Sequence, residues 1–331
     1  MPWEEFSLIG RLFRPLSQGE AGAFDLTDDA AVLHPAEGCD WVVTADALVA
    51  GVHFFADDPP ESIAKKMMRV NVSDLAAMGA KPRCVFMTCA LPRDLTEAWL
   101  VRFADGVAGD CRAFGVTLAG GDVVATPGPL TLSVTAMGEA REGRVLRRNG
   151  MEPGDIVAVT GTIGDAALGL DLQREGRPGF LSADAAAFLL DRYRHPEPRV
   201  EAGLILNGAD VSAHAAMDIS DGLFGDLKHM AEVSGVDVVV DVARIPLSEA
   251  ARAWVSREPG RIERIAGGGD DYELAFSCAA DDFRGLDSRL SARGVKATAI
   301  GRAVEGSGRV YRIDADGTRR EASGGHRHGG T

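Results

Sequence analysis

The decapeptide Asn71-Val72-Ser73-Asp74-Leu75-Ala76-Ala77-Met78-Gly79-Ala80 constrains this chain most. It continues a run from Glu61 in which Ile63, Met67 and Val70 recur at helical spacing. An Asn, a Ser and an Asp sit in sequence that is otherwise apolar. Polar groups in such surroundings must find partners or the fold loses stability. The same pattern returns at Asp28-Asp29, Asp46, Asp122, Asp218, Asp221 and Asp270-Asp271, each set in apolar or glycine-rich sequence. The expectation is that these acids converge with Asp74 on one metal-phosphate site.

With 331 residues the chain suits two domains of ordinary size. Hydrophobic residues at 46% and charged residues at 25% place it among globular proteins. No apolar run is long enough to span a bilayer. The acidic start at Glu4-Glu5, with no apolar segment after it, predicts no signal peptide. Five scattered cysteines with no C-x-x-C pair favour reduced thiols in a cytoplasm over a disulfide frame or a zinc site. The net charge of -14 disfavours nucleic acid as a partner, because a phosphate backbone requires a basic face.

Residues 5–16 predict a short amphipathic helix. Asp28-Asp29 precedes a small apolar strand at Ala30-Ala31-Val32-Leu33, and reads equally as a turn or cap. Trp41-Val42-Val43-Thr44-Ala45-Asp46 predicts a buried strand ending in an acid, followed by His53 among apolar residues. Residues 84–92 predict a second strand. Asp94 or Thr96 caps a helix to Phe114 with Leu100, Phe103, Val107 and Cys111 on one face. Gly120-Gly121-Asp122 then follows a strand, where paired glycines let a backbone approach a phosphate; most copies of this triplet are tight turns. Residues 130–137 predict a further strand. Residues 143–150 hold Arg144, Arg147 and Arg148, either as a solvated loop or against phosphate oxygens.

A domain boundary is expected near Gly150, giving domains 1–150 and 151–331. In the second, Gly161-Thr162-Ile163-Gly164-Asp165 opens a helix, residues 174–183 predict a flexible loop, and Glu197-Pro198 starts another helix. Met217-Asp218-Ile219-Ser220-Asp221-Gly222-Leu223 echoes the Val-Ser-Asp-Leu of the first half. Gly267-Gly268-Gly269-Asp270-Asp271-Tyr272-Glu273-Leu274 puts two carboxylates between a glycine turn and a strand. A helix over 281–293 and a strand over 297–301 close the domain, and composition predicts a mobile tail from Ser323. Strands and helices alternate throughout, which predicts α/β or α+β layers in each half.

Two carboxylates about 4 Å apart repel by about 4 kcal/mol at an effective dielectric of ~20, so a converged group of acids requires cations. Oxygen donors suit magnesium or manganese, and magnesium completes its shell with water and substrate phosphates. No Walker A stretch and no kinase glycine-rich loop with its downstream motifs is present, so an ATP site here has another design.

Taken together, Asp28-Asp29-Ala30-Ala31, Thr44-Ala45-Asp46 with Gly51-Val52-His53-Phe54, the Asn71–Ala80 stretch, Gly120-Gly121-Asp122, the Asp218 and Asp221 cluster and Gly268-Gly269-Asp270-Asp271-Tyr272-Glu273-Leu274 resemble the thiamine-monophosphate kinase family. That family lies in the ATP-binding superfamily of aminoimidazole ribonucleotide synthetase. The resemblance implies two α/β domains, with N-terminal domains pairing into a homodimer. It implies transfer of a phosphoryl group from ATP to thiamine phosphate, with several Mg2+ ions. It implies Asp29, Thr44, Asp46, Asp74, Asp122, Asp218 and Asp221 as metal ligands. It implies Gly121, Asp122, Arg148 and Ser220 as ATP contacts, and His53, Asp271 and His326 as substrate contacts. Ala45 departs from the hydroxyl residue expected beside Asp46, Asp270 stands where Glu is usual, and the tail lacks the family's aromatic. Selenophosphate synthetase would need a reactive Cys before Cys39, and the hydrogenase-maturation relative a C-terminal Cys. Aminoimidazole ribonucleotide synthetase is the enzymatic alternative, and an inactive nucleotide-binding scaffold, argued from Ala45, is the other.

Overall fold

The computed structural model describes residues 4–208 and 213–322. The chain forms two compact units, one built from residues up to Leu75 with Ala80–Gly143, the other from Ala76–Gly79 with Arg144 onward.

In the first unit four strands pair in the order β1-β4-β2-β3. They are β1 (Cys39–Val49), β2 (Lys81–Pro92), β3 (Thr117–Thr126) and β4 (Thr131–Arg141). Neighbours are antiparallel except β2 and β3. That parallel pair needs a crossover, supplied by α3 (Glu97–Phe114). The α3 helix starts where the Thr96 hydroxyl accepts the Trp99 N–H and ends at Gly115 in the left-handed region, φ 65°. Its Leu100, Phe103, Val107 and Cys111 are buried, as their spacing predicts. The helix α2 (Pro60–Ala77) takes in the first seven residues of the decapeptide and stops before Gly79, which is left-handed at φ 67°. Asn71 and Ser73 are 0% exposed within it. The Asn71 amide is satisfied at both ends: its Nδ2 donates to the Met67 carbonyl, 2.9 Å, and its Oδ1 accepts the Asp46 N–H, 2.9 Å.

The N-terminal segment differs from the expected helix. A single α turn, α1 (Glu5–Leu8), gives way to a π turn at Ile9–Phe13 and a 3-10 turn at Arg14–Ser17. Gly10 is a poor helix former and Pro15 lacks the N–H a continuing helix requires, which accounts for the break. No strand forms at residues 30–33. The Val32 N–H donates to Gly22 O, 2.9 Å, rather than to a ladder.

The second unit holds a seven-stranded sheet in the order β11-β10-β7-β9-β5-β8-β6. Its strands are β5 (Ile156–Thr160), β6 (Ala215–Asp218), β7 (Val236–Asp241), β8 (Leu274–Cys278), β9 (Ala297–Glu305), β10 (Val310–Ile313) and β11 (Arg319–Glu321). Around it lie α4 (Asp165–Glu175), α5 (Ala183–Arg194), α6 (Val200–Leu206), α7 (Leu223–Ser234), α8 (Glu249–Arg257), α9 (Arg261–Gly267) and α10 (Phe283–Ser291). Val157 and Val159 enter one core with Leu168, Leu227 and Trp254, while Ala158, Leu274 and Phe276 enter another with Leu286 and Leu290. The central strands are therefore apolar on both faces, which is why their sequence is unbroken by polar alternation.

Candidate active site

In the first unit the acids are placed by strand pairing. Thr44 and Asp46 share one face of β1 with the buried Val42 and Leu48, and this face meets α2. The Thr44 hydroxyl donates to Asp74 Oδ2, 2.5 Å. The Asp46 backbone is held on both sides, its N–H by Asn71 and its carbonyl by the Ser133 hydroxyl, 3.1 Å. His53 follows at the end of β1. The Val49 N–H donates to its Nδ1, 3.0 Å, so Nδ1 carries no proton and the neutral ring presents its N–H at Nε2.

Across the sheet the register runs Ala47–Ser133–Thr88–Asp122, one row beyond Asp46–Val134–Met87–Gly121. Asp122 therefore faces away from the side that carries Asp46. A cavity of 530 Å³ lies there, lined by Asp28, Asp29, Thr88, Gly120, Gly121 and Asp122 with Phe13, Leu26 and Phe86 as apolar wall. The paired glycines sit within β3 rather than in a turn after it. Gly121 has φ +150°, and a Cβ there would lie 1.9 Å from Met87 O. Neighbouring positions on a strand alternate sides, so Asp46 and Asp122 leave β1 and β3 from opposite faces of the sheet.

In the second unit β6 ends at Asp218, 3% exposed, and leads through Ser220, Asp221 and Gly222 into α7. The glycine-rich segment after α9 lies directly on this turn. Asp270 N–H donates to Ser220 O, 2.8 Å, and Tyr272 N–H to Ile219 O, 2.9 Å. Asp270 and Tyr272 are both left-handed, φ 71° and 52°, a conformation rare outside glycine that the surrounding hydrogen bonds enforce. A Cβ on Gly269 would lie 2.2 Å from Ser220 O, so glycine is required for the approach. Arg148 lies in the exposed loop after residue 143, and the Ser234 hydroxyl donates to its carbonyl, 3.5 Å. Burial pushes the Asp226 carboxyl up to about 7. The neighbouring Asp221 charge adds to the rise, and the backbone N–H groups of Asp221 and Gly222 and the Arg148 guanidinium oppose it.

Among the described residues no three His, Cys, Asp or Glu side chains are grouped closely enough to hold a metal by themselves. The donors present in both units are oxygens, and they stand in ones and twos. This fits magnesium, which takes few protein ligands and fills its shell with water and phosphate oxygens. It does not fit a closed zinc site.

Residues 27–140 match the family AIR synthase related protein, N-terminal domain, and residues 152–313 match AIR synthase related protein, C-terminal domain. A thiamine-monophosphate kinase of Caulobacter vibrioides is 45% identical over 312 residues, 93% of this chain and 86% of that one. This chain belongs to the thiamine-monophosphate kinase family. Among solved structures, the thiamine-monophosphate kinase from Stenotrophomonas maltophilia K279a is 39% identical, with a TM-score of 0.81 over 92% of this chain and 93% of that one. AaThiL complexed with AMPPCP and TMP is 30% identical, with a TM-score of 0.77 over 97% and 95%.

Several positions that the thiamine-monophosphate kinase resemblance singled out have structural surroundings of their own. Asp271, implied as a substrate contact, is 1% exposed, and its carboxylate accepts the N–H groups of Gly164, 2.7 Å, and Ala166, 3.4 Å. It thereby caps the start of α4, and burial holds its carboxyl well above the usual range. Ala45 is exposed on the outer face of β1, opposite Thr135. His326 lies outside the described residues.

Sequence reasoning missed Glu273, Arg192, Arg199 and Asp226. Glu273 is 0% exposed and accepts two hydrogen bonds from Arg199, both 2.6 Å, one from Arg192, 2.9 Å, and one from Thr160, 2.7 Å. Its position immediately after the left-handed Tyr272 makes it the anchor of the strained segment. The available signal was a charged residue between Tyr272 and the apolar Leu274-Ala275-Phe276.

Proposed function

We propose that this chain phosphorylates thiamine phosphate with ATP, releasing ADP and thiamine diphosphate. The observation that carries this reading is the match along nearly the whole chain to thiamine-monophosphate kinases, one of them solved complexed with AMPPCP, an ATP analogue, and TMP. An oxygen of thiamine phosphate attacks the γ-phosphorus of ATP in line. A new P–O bond forms there, and the bond from the γ-phosphorus to the β,γ-bridging oxygen breaks, so its electron pair leaves with ADP. The nucleophile is already anionic and requires no general base, so catalysis rests on positioning and charge neutralisation.

Asp29, Thr44, Asp46, Asp74, Asp122, Asp218 and Asp221 would hold Mg2+, which when bound offsets the mutual repulsion of the phosphates. Thr44 orients the Asp74 carboxylate and Asn71 fixes the Asp46 backbone. Gly121, Asp122, Arg148 and Ser220 take the ATP, with Gly121 admitting close approach of the phosphates. His53 offers its Nε2 proton to the phosphate of the second substrate. Asp271 acts on the site by holding the segment that begins α4.

Residues 1–150 are read as the ATP, metal and dimerisation domain and 151–331 as the C-terminal domain. The exposed outer face of the first sheet, with Val43 at 56% and Ala45 and Ala47 beside it, supports pairing of two copies there. Both substrates are phosphorylated and confined within cells, and no helix among the described residues is long and apolar enough to cross a membrane, which supports a cytoplasmic site of action. Phosphorus NMR of a mixture of the chain, ATP, Mg2+ and thiamine phosphate tests the reading. Thiamine diphosphate and ADP are expected in equal amounts. Inorganic phosphate and ADP without thiamine diphosphate would overturn it.

A further inference from the structure

Three consecutive residues with no glycine among them, Phe24, Asp25 and Leu26, are left-handed, at φ 49°, 54° and 56°. Residues that carry a side chain take that conformation singly, because Cβ then crowds the following carbonyl oxygen, so a run of three does not arise from local preference. The surroundings impose it. The Thr27 N–H and hydroxyl both donate to Phe24 O, 3.1 and 2.7 Å, and close the turn. Leu26 is half-buried and packs with Ala31, Leu33 and Phe86 against Ala23, Cys84 and Ala119. The loop around the turn is shut at its base, where the Val32 N–H donates to Gly22 O, 2.9 Å, and a Cβ on Gly22 would lie 1.9 Å from Val32 O. Asp28 and Asp29 follow the turn directly and line the 530 Å³ cavity together with Gly120, Gly121 and Asp122. Asp25 itself is exposed, is not part of that lining, and pairs loosely with Arg14 at 3.5 Å.

We propose that the left-handed turn at Phe24, Asp25 and Leu26 is a positioning element, whose hand delivers Asp28 and Asp29 to the cavity. Left- and right-handed turns follow mirror-image backbone paths, so a right-handed turn in the same place would send the following residues another way. With the base of the loop closed and Leu26 seated, the hand of the turn sets the course of residues 27–31. Strained backbone held in place by its surroundings recurs where a functional side chain must be aimed. The inference rests on the reading of Asp29 as a metal ligand and adds which residues place it.

Asp25→Gly and Asp25→Pro separate the shape of the turn from its side chain. Both remove the carboxylate, but glycine accepts a left-handed φ and proline, fixed at about −65°, excludes it. The test is titration of the full-length chain with Mn2+ in the presence of saturating AMPPCP, read from the electron spin resonance of free Mn2+. Melting temperatures are recorded in parallel to confirm folding. Asp29→Asn marks the part of the Mn2+ uptake that depends on this loop. Asp25→Pro is expected to weaken that part by about tenfold or more, as for loss of a group that orients a metal ligand, while Asp25→Gly leaves it unchanged. Equal uptake by Asp25→Pro and Asp25→Gly would overturn the proposal. If Asp25→Pro does not fold, Thr27→Val decides, since it deletes the 2.7 Å bond that closes the turn. It is expected to weaken the same uptake, and Asp25→Gly in the same chain to restore it. No weakening by Thr27→Val, or a loss that Asp25→Gly does not restore, would then overturn the proposal. No effect of Asp29→Asn would overturn the metal-ligand reading and the proposal with it. Lack of thiamine phosphate turnover would sink the kinase reading alone, since this titration requires no second substrate.

Discussion

The hydroxyl of Thr44 donates a 2.5 Å hydrogen bond to Oδ2 of Asp74, joining the middle of β1 to the last turns of α2. A short bond from a hydroxyl to a carboxylate leaves that carboxylate a single orientation, with its other oxygen turned elsewhere. Thr44→Val keeps the shape and deletes the bond. The Mg2+ concentration for half-maximal rate is expected to rise by about 10- to 100-fold, as for loss of a partner that orients a metal ligand. Melting should move by only a few degrees, within about 1–2 kcal/mol for one hydrogen bond. A melting change that accounts for the whole activity loss would make the bond structural.

Gly121 has no room for a side chain, because a Cβ would lie 1.9 Å from Met87 O in a backbone already at φ +150°. Gly121→Ala must push β3 from β2 at the edge of the acidic cavity. The expected cost is about 1–3 kcal/mol of stability together with a higher KM for ATP. Gly38, also left-handed but with open space around it, is the control. Equal effects at Gly38 and Gly121 would place the cost in backbone conformation alone.

Asp165 is 0% exposed and accepts hydrogen bonds from Thr162 and Ser248, both 2.5 Å. Burial pushes its carboxyl above the ordinary value of 3.8 against the pull of those two hydroxyls. The folded chain therefore keeps a proton that the unfolded chain releases as pH rises past that value. With more protons bound in the native state, stability falls as pH increases through this window. Urea midpoints from pH 4.5 to 7.5 should decline less steeply in Asp165→Asn than in the unaltered chain. A parallel or steeper decline in the variant would contradict the assignment.

Glu273 owes its tolerance of full burial to two arginines. Arg199→Met removes the paired 2.6 Å bonds and leaves Glu273 with Arg192 and Thr160. Breaking such a buried pair from one side is expected to cost about 3–5 kcal/mol by urea denaturation. A loss below about 1 kcal/mol would mean that Arg192 suffices.

The legible parts of this chain were those where pattern and period agree. The α3 helix was readable from Leu100, Phe103, Val107 and Cys111, and its cap was narrowed to Asp94 or Thr96, of which the structure uses Thr96. The embedded Asn71 signalled a buried partner, although not that the partner would be the backbone of Asp46. Arg192 and Arg199 were hidden because a charged side chain on a helix ordinarily reads as solvated surface, and only the fold brings both to Glu273. The division of Asp46 and Asp122 between two faces depends on the pairing of four strands, which no local stretch encodes. The short turns at residues 5–17 were misread because their apolar spacing is helical while Gly10 and Pro15 interrupt the backbone.

The central claim is that Asp74, set by Thr44, serves phosphoryl transfer to thiamine phosphate. Coupled ADP release with ATP, Mg2+ and thiamine phosphate tests it most directly, comparing the unaltered chain with Asp74→Ala. The account predicts turnover that depends on thiamine phosphate and falls by at least about 100-fold in the variant, on the scale of losing a metal ligand. Turnover no greater in the unaltered chain than in Asp74→Ala would contradict it.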